Sequence, residues 1–220
     1  MSLWVKICAN TSVADAQMAV NVGADAVGFV FASSPRRVTR EQVAAITPHL
    51  PAAIEKIGVF VDSDFATIAE TVALAGLTGV QLHSSNEGDL AAQLRARFGP
   101  SLRILQVVHF GKDASAELQA VSANGFIDAV LIDSRTVNAV GGTGIPFDWQ
   151  TARATVFDGA CALKLIAAGG LTPANVAEAI TTLQPWGVDV ASGVESSPGH
   201  KDEQKVRSFV ANARAASAQQ

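Results

Sequence analysis

Eight short apolar or β-branched runs, each followed by a helical pattern, predict an α/β chain folded as a single-domain (β/α)8 TIM barrel over residues 1–220. Two further observations favour a closed barrel over a doubly wound open sheet. An open sheet calls for a Gly-rich phosphate loop after its first strand. Here the first run is followed by Ala9-Asn10-Thr11-Ser12, and the glycines come late. Only closure returns the eighth strand, with those late glycines, to the side of the first.

The strands are expected at Trp4 to Cys8, Ala26 to Phe31, Lys56 to Phe60, Gly79 to His83, Arg103 to Val108, Ala129 to Asp133, Lys164 to Ala168 and Gly187 to Ala191. The spacing is roughly 27 residues per unit, near the low end for such barrels. Helix signals sit between the runs. Thr39-Arg40-Glu41-Gln42 reads as a capping box before Val43 to Ile46. Asp148 reads as an N-cap with Trp149 at the first helical position. Thr172-Pro173 reads as an N-cap with Pro at the first position, ahead of Ala174 to Leu183. Asp202 can cap a last helix running to about Ala213. Gly76, Gly99 and Gly125 fit helix stops. Asp25-Ala26-Val27 and Asp128-Ala129-Val130 open strands about half the chain apart, a weak internal echo. No Pro/Ser-rich linker divides the chain.

Composition narrows the function. Of 220 residues, 49% are hydrophobic and 16% charged, which suits a globular chain with a sizeable core. A net charge of -4 gives no electrostatic case for nucleic acid or an anionic membrane. No apolar run spans a bilayer, and the start of the chain lacks a signal-peptide pattern. Two cysteines are too few for a disulfide framework, so a reducing cytoplasm is the simplest expectation; a monomer is taken only by default. No metal-ligand spacing is present.

In barrels, chemistry gathers at the C-terminal ends of strands. Cys8 ends the first strand and is either a small buried hydrophobe or a poised base. Asp133 ends the sixth and is either a loop cap or a proton handler. Arg36, in the loop after the second strand, is either solvated or a bidentate carboxylate clamp. His83 ends the fourth strand as an acid–base group, a substrate contact or a polar rim residue. Gly169-Gly170 and Ser192-Gly193 follow the seventh and eighth strands, where barrels often bind phosphate through backbone N–H groups. Gly142 and Gly144 lie in a Gly-rich loop that is either a substrate contact or a mobile lid. Cys161 precedes the seventh strand, on the stability side, and His49, His109 and His200 receive no role.

The chain also resembles a known family. Lys6-Ile7-Cys8, Gly23 through Phe31, Ser34-Pro35-Arg36, Gly58-Val59-Phe60-Val61 and Gln81-Leu82-His83 carry the likeness in its first half. Gly141-Gly142-Thr143-Gly144 with Phe147-Asp148-Trp149, Ala168-Gly169-Gly170-Leu171, Asp189 through Glu195 and Pro198 through Asp202 carry it in the second. Together they resemble the phosphoribosylanthranilate isomerase family of tryptophan biosynthesis. Two departures stand out. Ala9 replaces the usual Gly after the cysteine, and Ser84-Ser85-Asn86-Glu87 replaces the usual Gly-Glu after Gln-Leu-His.

The resemblance implies an Amadori rearrangement of N-(5-phosphoribosyl)anthranilate with no cofactor. It implies Asp133 as acid, Cys8 as base, Arg36 on the anthranilate carboxylate, and Gly169, Gly170, Ser192 and Gly193 on the phosphate. The related histidine-pathway isomerase, which carries Asp in place of Cys after the first strand, is one alternative. A non-catalytic phosphate-ligand barrel is another.

Strand parity adds an expectation independent of the family. Side chains alternate, so Lys6 faces the way Cys8 does, and Gln81 the way His83 does. If Cys8 and His83 face the axis, Lys6 and Gln81 lie one layer below. A buried ammonium needs a partner, and the neighbouring eighth strand offers Asp189. A buried Lys6–Asp189 pair beneath Cys8, with Gln81 nearby, is therefore expected, its positive end favouring the thiolate.

Overall fold

The computed structural model describes residues 3–83, 88–133, 148–158 and 163–218. Eight parallel strands close into a barrel in chain order: β1 (Trp4–Ile7), β2 (Ala26–Val30), β3 (Glu55–Val61), β4 (Gly79–His83), β5 (Arg103–His109), β6 (Ala129–Asp133), β7 (Lys164–Ala168) and β8 (Gly187–Val190). Closure runs through β8 and β1, in register from Trp4↔Gly187 to Ile7↔Val190. A short antiparallel pair, β9 (Glu195–Ser197) and β10 (His200–Lys201), lies between β8 and the last helix.

The helices are α1 (Val13–Asn21), α2 (Arg40–Ile46), α3 (Phe65–Ala75), α4 (Gly88–Phe98), α5 (Ala114–Ser122), α6 (Trp149–Ala152), α7 (Val176–Leu183) and α8 (Glu203–Ser217). Their starts follow local chemistry. Thr39 and Gln42 form the expected capping box at α2. Asp148 accepts from Thr151 N at 3.0 Å, and Asp202 accepts from Lys205 N at 3.0 Å. No helix of the described residues is long and apolar enough to cross a membrane.

Two of the expected helix boundaries differ. Thr172 and Pro173 form a turn whose Thr172 carbonyl accepts from Val176 N, so regular helix begins only at Val176. The Asn175 carboxamide takes the Thr172 N–H at 2.7 Å and holds that turn in place. Gly76 does stop α3 in the left-handed conformation, with φ 61°. Gly125, by contrast, follows an α5 that already ends at Ser122 with Ala123 as its cap, so it serves the next turn.

Alternation along the strands produces two cores. Ile7, Phe29, Leu82 and Ile132 face outward and pack with helix residues such as Leu94 and Phe209. Phe29 and Phe209 are completely buried, each contributing about 1.5–3 kcal/mol. Trp4, Ala26, Ile57, Leu105, Leu131 and Ile166 form a second cluster inside the barrel.

Above that inner cluster the filling becomes polar. Lys6 is completely buried, and its Nζ donates to Asp189 Oδ1 at 3.0 Å and to Gln81 Oε1 at 2.6 Å. Gln81 Nε2 lies 2.9 Å from His83 Nε2, so the network reaches the rim. Burial disfavours the Lys6 ammonium, but Asp189 and the Cys8 sulfur more than offset that and hold its pKa above the ordinary lysine value. The pair expected from parity is present.

Lys6→Met strands the Asp189 carboxylate in this layer, and a loss of about 3–5 kcal/mol in urea unfolding is expected. Lys6→Met combined with Asp189→Leu should cost clearly less, because no lone charge remains. A loss below about 1 kcal/mol in the single variant, the range of exposed pairs, would contradict the buried-pair account.

Candidate active site

A cavity of about 230 Å³ opens where the strands end, lined by Cys8, Arg36, His83, Asp133, Gly169, Gly170, Ser192 and Gly193 among others. Every described site residue expected from the sequence meets there. Gly142 and Gly144 lie outside the described residues, as do Ser84 to Glu87 and Cys161. A second cavity at the opposite end of the barrel is lined by Glu55, Thr78, Pro100, Ser101, Arg103 and Asp128, and it lacks the thiol, histidine and glycine turns.

Cys8 lies one residue past β1, held by its backbone N–H to Val190 O at 2.8 Å. The side chain rests over Gly28 of β2. A Cβ at Gly28 would stand 2.6 Å from Cys8 Sγ and 3.0 Å from Lys6 Cε. Glycine there gives the sulfur and the lysine stem their room. Burial pushes the thiol pKa up, and Asp189 adds to this; Lys6 and Lys201 pull it down without prevailing. The expectation that Lys6 favours the thiolate holds for that interaction, while burial and Asp189 set the net direction the other way.

Ala9, the residue that departs from the family pattern, adopts φ 63°. That left-handed conformation crowds a Cβ and costs a non-glycine residue about 1–2 kcal/mol. Asn10 then turns inward, donating through Nδ2 to Ile7 O at 2.8 Å and Gly28 O at 3.2 Å. These bonds tie the loop to β2 beside the sulfur.

Asp133 is buried at the end of β6, where its carbonyl accepts from Phe110 N at 2.8 Å. His83 is half-buried at the rim. Its ring lies 6.1 Å from that of His109, which is in register with Asp133. The sequence reading left His109 without a role, although the parity of Leu105 and Val107 on the same strand would have turned it toward the axis.

Arg36 is positioned by the loop after β2, where its backbone N–H donates to Ser34 Oγ at 3.1 Å. Arg36 lines the cavity, and its guanidinium is gripped by Glu195: Nε to Oε1 at 2.9 Å and Nη2 to Oε2 at 2.6 Å. Glu195 is a site residue the sequence reading missed. Burial opposes its charge, but the bonds from Arg36 and the field of Lys201 prevail and keep it below the usual carboxylate range.

Gly169 and Gly170 have φ of 80° and 65° and turn the chain sharply after β7. Ser192, Gly193 and Val194 form one short 3-10 turn after β8. Gly193 has a packing reason to be glycine. A Cβ there would lie 1.9 Å from Leu171 O, so glycine lets the two late loops pack together. Among the described residues, no group of three His, Cys, Asp or Glu side chains is placed to hold a metal ion.

Acid–base work on a small anionic molecule is the kind of chemistry this end of the barrel is suited to. Residues 5–212 match the family described as PRAI, N-(5'phosphoribosyl)anthranilate (PRA) isomerase. The N-(5'-phosphoribosyl)anthranilate isomerase of Pelobacter propionicus is 42% identical over 207 residues, covering 94% of this chain and 93% of its own. The crystal structure of phosphoribosyl anthranilate isomerase from Thermotoga maritima superposes with a TM-score of 0.82 at 31% identity, covering 97% of this chain and 99% of that one. A phosphoribosyl anthranilate isomerase in complex with reduced 1-(o-carboxyphenylamino)-1-deoxyribulose 5-phosphate superposes with a TM-score of 0.81 at 31% identity and the same coverage. The chain belongs to the phosphoribosylanthranilate isomerase family.

Two substitutions test the seat of Cys8. Gly28→Ala should displace the sulfur and lower turnover by about tenfold or more, since small misplacements of reacting groups are costly; wild-type turnover would show that the close approach has no consequence. Ala9→Gly should relieve the left-handed strain. After the entropy cost of glycine, a gain of about 0.5–1 kcal/mol is expected, seen as a rise of roughly 1–4 °C in thermal unfolding. An unchanged or lower midpoint would argue against strain at Ala9.

Proposed function

We propose that the chain converts N-(5-phosphoribosyl)anthranilate to 1-(2-carboxyphenylamino)-1-deoxyribulose 5-phosphate, without a cofactor, in tryptophan biosynthesis. One barrel domain carries the whole activity. The observation that carries this reading is that Cys8 and Asp133 line one cavity from β1 and β6, while β7 and β8 between them bring their glycine loops to the same rim. A phosphorylated sugar anchored at those loops lies between a thiol and a carboxyl group.

In this scheme Asp133 protonates the ribose ring oxygen. The ring C–O bond breaks, and the anilino nitrogen's lone pair forms the protonated Schiff base. Cys8, as thiolate, removes the proton from C2, and the electrons left behind neutralise the iminium to give an enolamine. Return of a proton to C1 and loss of the enol proton produce the ketone, so the molecule is isomerised with no net redox change. Each positioned proton handler is worth about 10²–10⁴ in rate. Arg36 takes the anthranilate carboxylate, while Gly169, Gly170, Ser192 and Gly193 take the phosphate. His83, Gly142 and Gly144 complete the substrate contacts.

The disappearance of phosphoribosylanthranilate fluorescence on addition of purified protein tests the activity directly. Cys8→Ser and Asp133→Asn should each lower kcat by about two orders of magnitude or more, with folding retained. Arg36→Ala should chiefly raise KM, because it removes binding remote from the reacting carbons. Inorganic phosphate should compete with substrate. Retention of more than about a third of wild-type turnover in either proton-handler variant would remove that residue from its role.

A further inference from the structure

Glu195 does not line the cavity, yet it is the partner of the cation that does. Its side chain is only 4% exposed, against 23% for Arg36. It sits behind the guanidinium and uses both oxygens, engaging Nε and Nη2 and leaving Nη1 without a partner among the described residues. That one-sided grip fixes the plane of the guanidinium.

Glu195 is itself held from several directions. Lys201 Nζ, on a completely buried side chain, approaches Oε1 at 3.3 Å and donates to Ala191 O at 3.2 Å. Gly199 N donates to Oε1 at 3.4 Å. Lys205 Nζ donates to the Glu195 carbonyl at 2.7 Å. The β9–β10 pairing places Lys201 opposite Glu195, so the hairpin builds this carboxylate site by its register.

Glu195 stands among three cations, Arg36, Lys201 and Lys205. Of these, Arg36 is the one that lines the cavity. A carboxylate on a ligand suits the open side of its guanidinium. Without Glu195, two closely placed cations would repel, and nothing behind Arg36 would hold its plane.

We propose that Glu195 is a positioning residue that orients Arg36 and so aims this wall of the cavity at a carboxylate. This rests on the proposed function, in which that carboxylate belongs to the anthranilate ring. Glu195 acts on binding through Arg36 and takes no part in moving protons.

The test compares wild type, Glu195→Gln and Glu195→Asp by the fluorescence assay, each also in an Arg36→Ala background. Glu195→Gln keeps the shape and loses the charge. It should raise KM by about tenfold and leave kcat within about threefold. Glu195→Asp keeps the charge on a shorter stem and should recover part of the KM. With Arg36 already removed, Glu195→Gln should add less than about twofold, because coupled residues are non-additive. Inhibition by inorganic phosphate, which reports the other end of the cavity, should be the same in all forms.

A loss confined to kcat, or an equal effect with and without Arg36, would overturn the proposal, as would loss of phosphate inhibition in both Glu195 variants. Failure of the functional reading looks different: the wild-type protein itself would leave phosphoribosylanthranilate unchanged.

Discussion

The buried contact of Lys6 with Asp189 and Gln81 is the constraint around which the active end of the barrel is arranged. An eight-stranded parallel barrel is ordinarily filled by branched apolar side chains. Trp4, Ile57, Leu105 and Leu131 fill it that way toward the lower end. A charged layer above them is tolerated only because the ammonium finds a carboxylate and an amide oxygen at hydrogen-bond distance. Once in place, that layer is a fixed floor. It orients Gln81 toward His83, and it works only with Gly28 in β2, where any side chain would collide with the lysine stem and with Cys8.

The same floor sets the electrostatics of the thiol. Lys6 from below and Lys201 from the side favour the thiolate, while burial and Asp189 oppose it, and the opposition is stronger. For the base that the proposed mechanism makes of Cys8, this is a trade-off. A higher pKa reduces the fraction of thiolate at neutral pH but makes each thiolate a stronger base. The flanking lysines limit the first loss.

Much of this was legible in the sequence, and the reasons differ by residue. Strand runs and helix caps are local, so the barrel and most element starts could be read directly. The Lys6–Asp189 pair joins residues at opposite ends of the chain, yet it followed from two rules, alternation along a strand and closure of the barrel. His109 was open to the same alternation argument and was passed over because it had no neighbour in sequence to suggest a partner. Glu195 could not be found that way. It lies in a short hairpin beyond β8, and its partner is set by how two loops fold across the rim. The net direction of the Cys8 shift was also out of reach, because it depends on the degree of burial, which no motif expresses. Gly193 has a second reason to be glycine that no motif expresses, since Leu171 of the adjacent loop excludes a side chain there.

A site assembled from separate strand ends also needs its loops tied to one another, because each strand fixes only the residue at its own tip. The ties here run sideways around the rim. Gly193 lets the loop after β8 press on the loop after β7. Glu195 joins the segment beyond β8 to the loop after β2 through Arg36. Thr11 Oγ1, in the β1 loop between those two, donates to Gly199 O at 2.6 Å and closes the gap. The loops around Cys8 are thus braced by hydrogen bonds and by the ion pairs of Glu195, to which the glycines and prolines of the motifs contribute shape more than contact. The late Pro198-Gly199 turn illustrates this. Gly199 adopts φ 84°, and that turn brings its N–H to Glu195 and its carbonyl to Thr11 at once. The position of the Arg36 guanidinium is therefore tied to a turn that does not itself line the cavity, one step removed from it.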